Sequence, residues 1–215
     1  MNDHIIELIL ITSTFTLLAG YHLLLSYFVH KFPLKTSIGF SNHVRTLWVK
    51  TIMSEKRDIL AVQTLRNWTM AATFLASTSI LIGVGALSVA LTSERLLEIS
   101  HNFNFFGVHS ESVWMIKLLL ISINFFIAFY NFTLAIRYYN NVGFMINVTG
   151  TTDIEITPES VGKTVNKGAL HYTYGMRGYY FTLPLTLWLL GPSWSLGGAL
   201  VLIFLLSRLD RVKDS

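Results

Sequence analysis

The sequence contains no cysteine, and that one absence removes several kinds of chemistry. Disulfides, thiolate metal sites and cysteine nucleophiles are excluded, whatever the redox state of the compartment. Charge is the second deficit. Only 13% of the 215 residues are Asp, Glu, Lys or Arg, against about 25% in an average globular chain. Catalytic signatures are missing too. There is no G-x-S-x-G elbow, no Walker-type phosphate loop, no H-E-x-x-H zinc motif and no pair of carboxylates inside an apolar run. Quinone or lipid chemistry needs few charged residues and stays open, although no residue points to it. No cofactor is expected. The chain also lacks an internal repeat, which argues against an inverted-repeat transporter within one chain.

What is present is apolar. Hydrophobic residues make up 52% of the chain, and the mean hydropathy is +0.52. A membrane span needs about 20 mostly apolar residues. Four spans satisfy this, at about 5–29, 58–92, 113–140 and 179–207. The remaining pieces are too small for a soluble domain, so residues 1–215 form a single membrane domain. The first run is expected to be retained. It carries Asp3 and Glu7 in place of a basic leader, its apolar stretch is long, and no small-residue cleavage site follows. The expected fold is an all-α integral membrane protein, a four-span bundle in which the lipid bilayer is the main partner.

The net charge of +4 informs through its placement. The connection 30–67 holds Lys31, Lys35, Arg45, Lys50, Lys56, Arg57 and Arg66 against Glu55 and Asp58, whereas 93–112 holds Arg95 against Glu94, Glu98 and Glu111. Positive-inside asymmetry puts the first connection in the cytoplasm and the amino terminus outside, as in a bacterial inner membrane. These basic residues sit on short connections beside spans, which is an orientation signal. No nucleic-acid signature accompanies it.

Between the first two spans, residues 38–55 place Phe40, Val44, Leu47, Trp48 and Ile52 on one face. That is the pattern of an amphipathic helix at the membrane interface, or of one capping the bundle from the cytoplasm. The second span runs without interruption from Asp58. Its stripe of small residues, Thr69, Ala72, Ala76, Ser79, Gly83, Ala86 and Ala90, recurs at three- and four-residue steps and suits close helix packing. Residues 148–177 are polar and rich in glycine, which predicts a cytoplasmic loop with one short helix near 158–170, started by Thr157-Pro158-Glu159. The fourth span contains Pro184 and then Gly191-Pro192-Ser193. One broken crossing is the expectation. A re-entrant hairpin is the alternative, favoured by the tail residues Arg208, Arg211 and Lys213.

The third span carries Lys117, Asn124 and Asn131 at seven-residue spacing, hence on one face. Interhelical hydrogen bonds of about 1 kcal/mol or less each are the first explanation, and a polar stripe lining a pore in an oligomer is the second. Lys117 lies one turn inside the outer interface, close enough to snorkel. His22 is the single histidine within the four spans and reads as a hydrogen-bonded packing residue. The outer-loop residues Glu98, His101, His109 and Glu111 match no established metal-ligand spacing, so no metal is expected.

Several stretches together carry a resemblance. They are G-Y-H (Gly20 to His22), P-L-K-T-S-I-G (Pro33 to Gly39), L-A-V-Q-T-L-R-N (Leu60 to Asn67), A-S-T-S-I-L (Ala76 to Leu81), I-R-Y-Y-N-N-V-G-F-M-I-N (Ile136 to Asn147) and Y-F-T-L-P-L-T-L-W-L-L-G-P (Tyr180 to Pro192). The chain resembles the plant and bacterial membrane proteins grouped as domain of unknown function 599. Asn141 and Gly143 depart from that pattern, where glutamine and asparagine are expected. The resemblance implies a four-span fold and brings no activity with it. With the amino terminus outside, it gathers His22, Gln63, Arg66, Asn67, Asn131, Arg137 and Asn140 at the cytoplasmic side, where a single hydrogen-bonded cluster is expected. Two functions fit: a homo-oligomeric channel or carrier for an ion or small solute, and an accessory or scaffold subunit of a larger membrane complex. A lipid- or quinone-handling enzyme is a third.

Overall fold

The computed structural model describes residues 2–92, 110–148 and 156–212. Six α-helices account for its regular structure there, together with a short 3-10 turn at Pro33–Lys35. They are α1 (Asn2–Lys31), α2 (Ser37–Glu55), α3 (Asp58–Ala90), α4 (Glu111–Met145), α5 (Pro158–Leu190) and α6 (Pro192–Leu209). Four contain stretches long and apolar enough to cross a membrane: His4–Lys31, Asp58–Ala90, Glu111–Met145 and Pro192–Leu209. The protein is an all-α integral membrane protein.

Local sequence sets the helix ends. The Thr36 side chain accepts from Gly39 N at 3.3 Å and starts α2. Thr157 caps α5 in the same way, with Pro158 in the first turn, where its missing N–H costs nothing. Lys56 closes α2 in the left-handed region at φ 51°. The chain then turns straight into α3, whose 33 residues reach roughly 50 Å.

The centre of the bundle is α4, packed between α3 and α5. Along α3, Ala72, Ala76, Ser79, Gly83 and Ala90 are buried, with Thr69 and Ala86 half-buried on the same stripe. The stripe faces α4. Phe125 and Phe126 lie against Gly83, and Ser122 Oγ donates to the Gly83 carbonyl at 2.7 Å. The α4–α5 contact is built on glycines. Gly168 lies against Tyr139, Gly175 against Phe132 and Gly178 against Ala128, each leaving no room for a Cβ without displacing a neighbour.

Those glycines explain the first correction. The polar, glycine-rich segment 148–177, expected as a loop, belongs from Pro158 onward to the continuous helix α5. Glycine there serves close helix approach, so a composition typical of loops belongs to a packed helix.

The second correction concerns 179–207. The stretch is broken, but at Gly191, whose φ of 147° is a region glycine adopts freely. Pro184 lies within α5 and does not end it. Beyond Gly191 the chain folds back. Gly198 faces Pro184 and Leu187, and further along Arg177 pairs with Asp210. The two halves therefore form an antiparallel hairpin where one crossing was expected. The carboxyl end returns to α2, with Ser37 N donating to Asp210 O at 2.9 Å and Thr36 bridging Arg211.

The bundle thus has two ends, one at α2 and one at the Gly191 turn. Helix α2 runs antiparallel beside the first half of α5. Asn166 Nδ2 donates to Asn42 O and Thr46 Oγ1, both at 3.1 Å, and Lys50 meets Glu159 at 3.0 Å. Val49 and Ile52 enter a core with Leu65, Tyr139, Val142 and Val165. The opposite face of α2 presents Phe40, Val44 and Leu47, all exposed.

Candidate functional site

Two buried clusters of charge lie at opposite ends of the same helices. Glu7 and His22 mark them on α1, 15 residues or about 22 Å apart.

At the Gly191 end, Lys117 Nζ of α4 lies 3.1 Å from Glu7 Oε1 of α1. Trp188 Nε1 of α5 donates to the same oxygen at 3.0 Å. Lys117 is 0% exposed, so it does not snorkel. The rings of Trp188 and Trp114 stand 5.3 and 5.9 Å from its ammonium. Lys117 and Glu7 are a close ion pair without the alignment of a full hydrogen bond. The cluster ties α1, α4 and α5 together in an apolar, aromatic setting. Its chemistry is that of a clamp.

At the α2 end the arrangement is richer. Arg177 of α5 holds both carboxylate oxygens of Asp210 through Nη2, at 2.7 and 2.9 Å. The Tyr21 hydroxyl donates to Asp210 Oδ2. Arg177 Nη1 lies 3.0 Å from His22 Nε2, and because a guanidinium can only donate, that nitrogen must accept. The His22 proton then sits on Nδ1 and is donated to the Leu18 carbonyl at 2.9 Å. Both Asp210 oxygens are engaged, so Arg177 and Asp210 form a locally neutral unit joining α1, α5 and the end of α6.

This unit forms one wall of a cavity of about 290 Å³ whose opposite wall is α2. Arg45 lines that wall. Its Nε donates to Asn166 Oδ1 at 2.9 Å and its Nη2 donates to Asn42 Oδ1. Among the described residues no carboxylate pairs with it. Burial holds the Arg45 guanidinium below its ordinary pKa, which nearby Tyr139 partly opposes.

The expected single cluster does not form. His22 does lie in a polar network, but with Tyr21, Arg177 and Asp210. Gln63, Arg66, Asn67, Arg137 and Asn140 are all exposed, and no hydrogen bond joins them to one another. The cause is helix phase. The buried positions at that level are Ala61 and Leu65 on α3 and Ala135, Tyr139 and Val142 on α4. Gln63, Arg66, Asn67, Arg137 and Asn140, a polar collar at this end of α3 and α4, each lie 100° or more round their helix from these. The third-span stripe points inward. Lys117 meets Glu7, and Asn124 Nδ2 donates to Gly178 O at 2.8 Å and Thr182 Oγ1 at 3.1 Å. Asn131 donates to Ile127 O and pairs with His171 at 3.0 Å. The outer-loop residues Glu98, His101 and His109 lie outside the described residues.

Arg45, Tyr21, Arg177 and Asp210 were not singled out in the sequence. A hairpin within 179–207 was the signal that could have found the last two, because it brings the tail back beside Arg177.

A family model described as "Protein of unknown function, DUF599" matches residues 9–215. No curated protein and no solved structure gives a match. The matched region spans nearly the whole chain, including the Arg177–Asp210 cluster and, of the other cluster, Lys117, Trp114 and Trp188 but not Glu7. The protein belongs to the DUF599 family.

Proposed function

We propose that the protein is a non-catalytic subunit of a membrane assembly, with its α2 end in the cytoplasm and its amino terminus outside. One observation carries this reading. The polar groups that a pore would need, Lys117, Asn124 and Asn131, are bonded within the chain. Gln63, Arg66, Asn67, Arg137 and Asn140 instead stand exposed at one end of the α3–α4 pair. Exposed polar groups without a partner among the described residues suit contact with a second protein. The basic 30–67 connection supports the orientation.

The test is extraction of the tagged chain from native membranes into polymer-bounded discs. A stoichiometric partner is expected with the wild type and is lost in an Arg66→Glu/Arg137→Glu variant that keeps its unfolding temperature. Discs holding this chain alone, for both proteins, would overturn the proposal. A homo-oligomeric channel is the second reading, favoured by the bare apolar length of α1, where Ile5, Leu8, Ile9, Leu23 and Leu24 are exposed. Discs containing several copies of the chain, with conductance in planar bilayers, would support it.

A further inference from the structure

Arg45 is the charge in the α2-end site that has no counterion among the described residues. The cavity beside it holds three charged side chains, Arg45, Arg177 and Asp210. Arg177 and Asp210 neutralise each other through two short bonds, and Tyr21 occupies the carboxylate further. The cavity is therefore left with one net positive charge, that of Arg45. A guanidinium has five N–H donors. Asn166 takes one and Asn42 takes another, and Nη1 has no acceptor among the described residues. The two asparagines orient the group from Nε and Nη2, which leaves Nη1 as the unused side of the fork.

The remaining wall carries further hydroxyls. Ser37, Ser41, Tyr172 and Tyr180 line the same space as possible donors, whereas Thr173, also on that wall, already donates to Ala169 O at 2.8 Å. The first turn of α2 also borders it, and the 19-residue helix places its positive end there. A second cavity of about 290 Å³, lined by Arg45, Trp68, Tyr139 and Tyr172, shares Arg45 and Tyr172 with the first. Leu206 and Leu209 close the floor next to the end of a membrane-length helix. An oriented arginine with no carboxylate partner among the described residues, set beside hydroxyl donors at such a boundary, is chemistry for a tetrahedral oxyanion.

We propose that the cavity between α2, α5 and the end of α6 binds a phosphate group through Arg45, carried by an anionic phospholipid headgroup or by a free phosphate ester. The volume is at the small end for ligand sites, which suits a headgroup and excludes a large cofactor. Arg45 grips the phosphate oxygens, the Ser37 and Ser41 hydroxyls complete the shell, and the Arg177–Asp210 unit holds α6 in place as the wall. This site is distinct from the exposed Arg66 collar and does not depend on the docking role.

The full chain, reconstituted in nanodiscs of phosphatidylcholine with and without phosphatidylglycerol, gives the first arm, read as lipid retained in native mass spectrometry. The second arm adds glycerol phosphate or inorganic phosphate to detergent-solubilised protein, against chloride at equal ionic strength, and reads the shift in unfolding temperature. Wild type is expected to retain phosphatidylglycerol selectively, and Arg45→Gln to weaken that by about tenfold or more. Ser41→Leu, which fills the cavity without touching the Asn42–Arg45–Asn166 bonds, is expected to lose it as well. Arg66→Gln should bind as wild type. Retention in the lipid arm alone identifies the headgroup as the source, and a phosphate shift abolished by Arg45→Gln identifies the free ester. Equal binding by wild type, Arg45→Gln and Ser41→Leu would overturn the proposal. So would an equal loss in Arg66→Gln, or no binding in either arm.

Discussion

Glu7–Lys117 and Arg177–Asp210 are both ion pairs closed between distant parts of the chain, yet their surroundings differ in every respect that matters chemically. The first is walled by Trp114 and Trp188, and its lysine is fully buried. The second has each carboxylate oxygen bonded, its arginine shared with a histidine, and a polar cavity on its open side. A dry pair has one use, to hold helices together. A saturated pair beside a cavity both holds helices and sets the local charge, because its neutrality leaves Arg45 as the net charge of the cavity lining. The comparison teaches that burial of charge alone does not distinguish the two ends. What distinguishes them is the charge left over after the pairs among the described residues are counted.

The strongest way to break this contrast is at the dry pair. Lys117→Met leaves the Glu7 carboxylate in a buried, aromatic site, and removing one member of such a pair costs about 3–5 kcal/mol. A large fall in unfolding temperature is expected. The double variant Glu7→Gln/Lys117→Met should recover most of it, because no charge then remains uncompensated. Asp210→Asn comes next. It weakens the bonds to Arg177 and Tyr21 beside a cavity that admits water, so a loss of about 1.5–3 kcal/mol is expected in chemical unfolding. The same substitution unbalances Arg177 and should strengthen phosphate retention at the cavity, which no purely structural role would do.

Between these and the surface stands Asn124→Ala. Its amide bonds two groups of α5 at membrane depth. A loss of about 1 kcal/mol or less is expected. A loss of channel activity without loss of stability would instead make the third-span stripe a conduction path. The smallest effect belongs to Lys50 and Glu159, both largely exposed. The bond to Lys50 is the first cause holding the Glu159 carboxyl below its ordinary range. A depressed folded pKa stabilises above the unfolded value and is lost as pH falls through the folded one. The small difference between wild type and Lys50→Met should therefore be constant near neutral pH and vanish in acid.

Much of the fold was legible. Helices α1, α3 and α4 stand out as apolar runs of membrane length, and the small residues of α3 sit where α4 touches it. Helix α5 was not legible, because Gly162, Gly168, Gly175 and Gly178, which allow close approach to α2 or α4, also lower its apparent helical character. The composition of 179–207 is compatible with a hairpin but does not require one. Little of the site could be read. Arg177 and Asp210 are 33 positions apart, and Tyr21 and Asp210 are 189 apart. No local pattern links residues at such distances, and the exposed Gln63–Asn67 motif drew notice because it is compact in sequence.

By itself the sequence determined that this chain is helical, lies in a membrane and carries its basic residues toward one end. Those are properties of composition and short-range period, set by the cost of placing charge and open backbone in lipid. Only the tertiary structure decided which charges meet. The reversal at Gly191 and the glycine contacts of α5 place Asp210 against Arg177 and leave Arg45 with no carboxylate partner among the described residues, because which side chains meet depends on helix phase and on contacts between residues far apart in sequence.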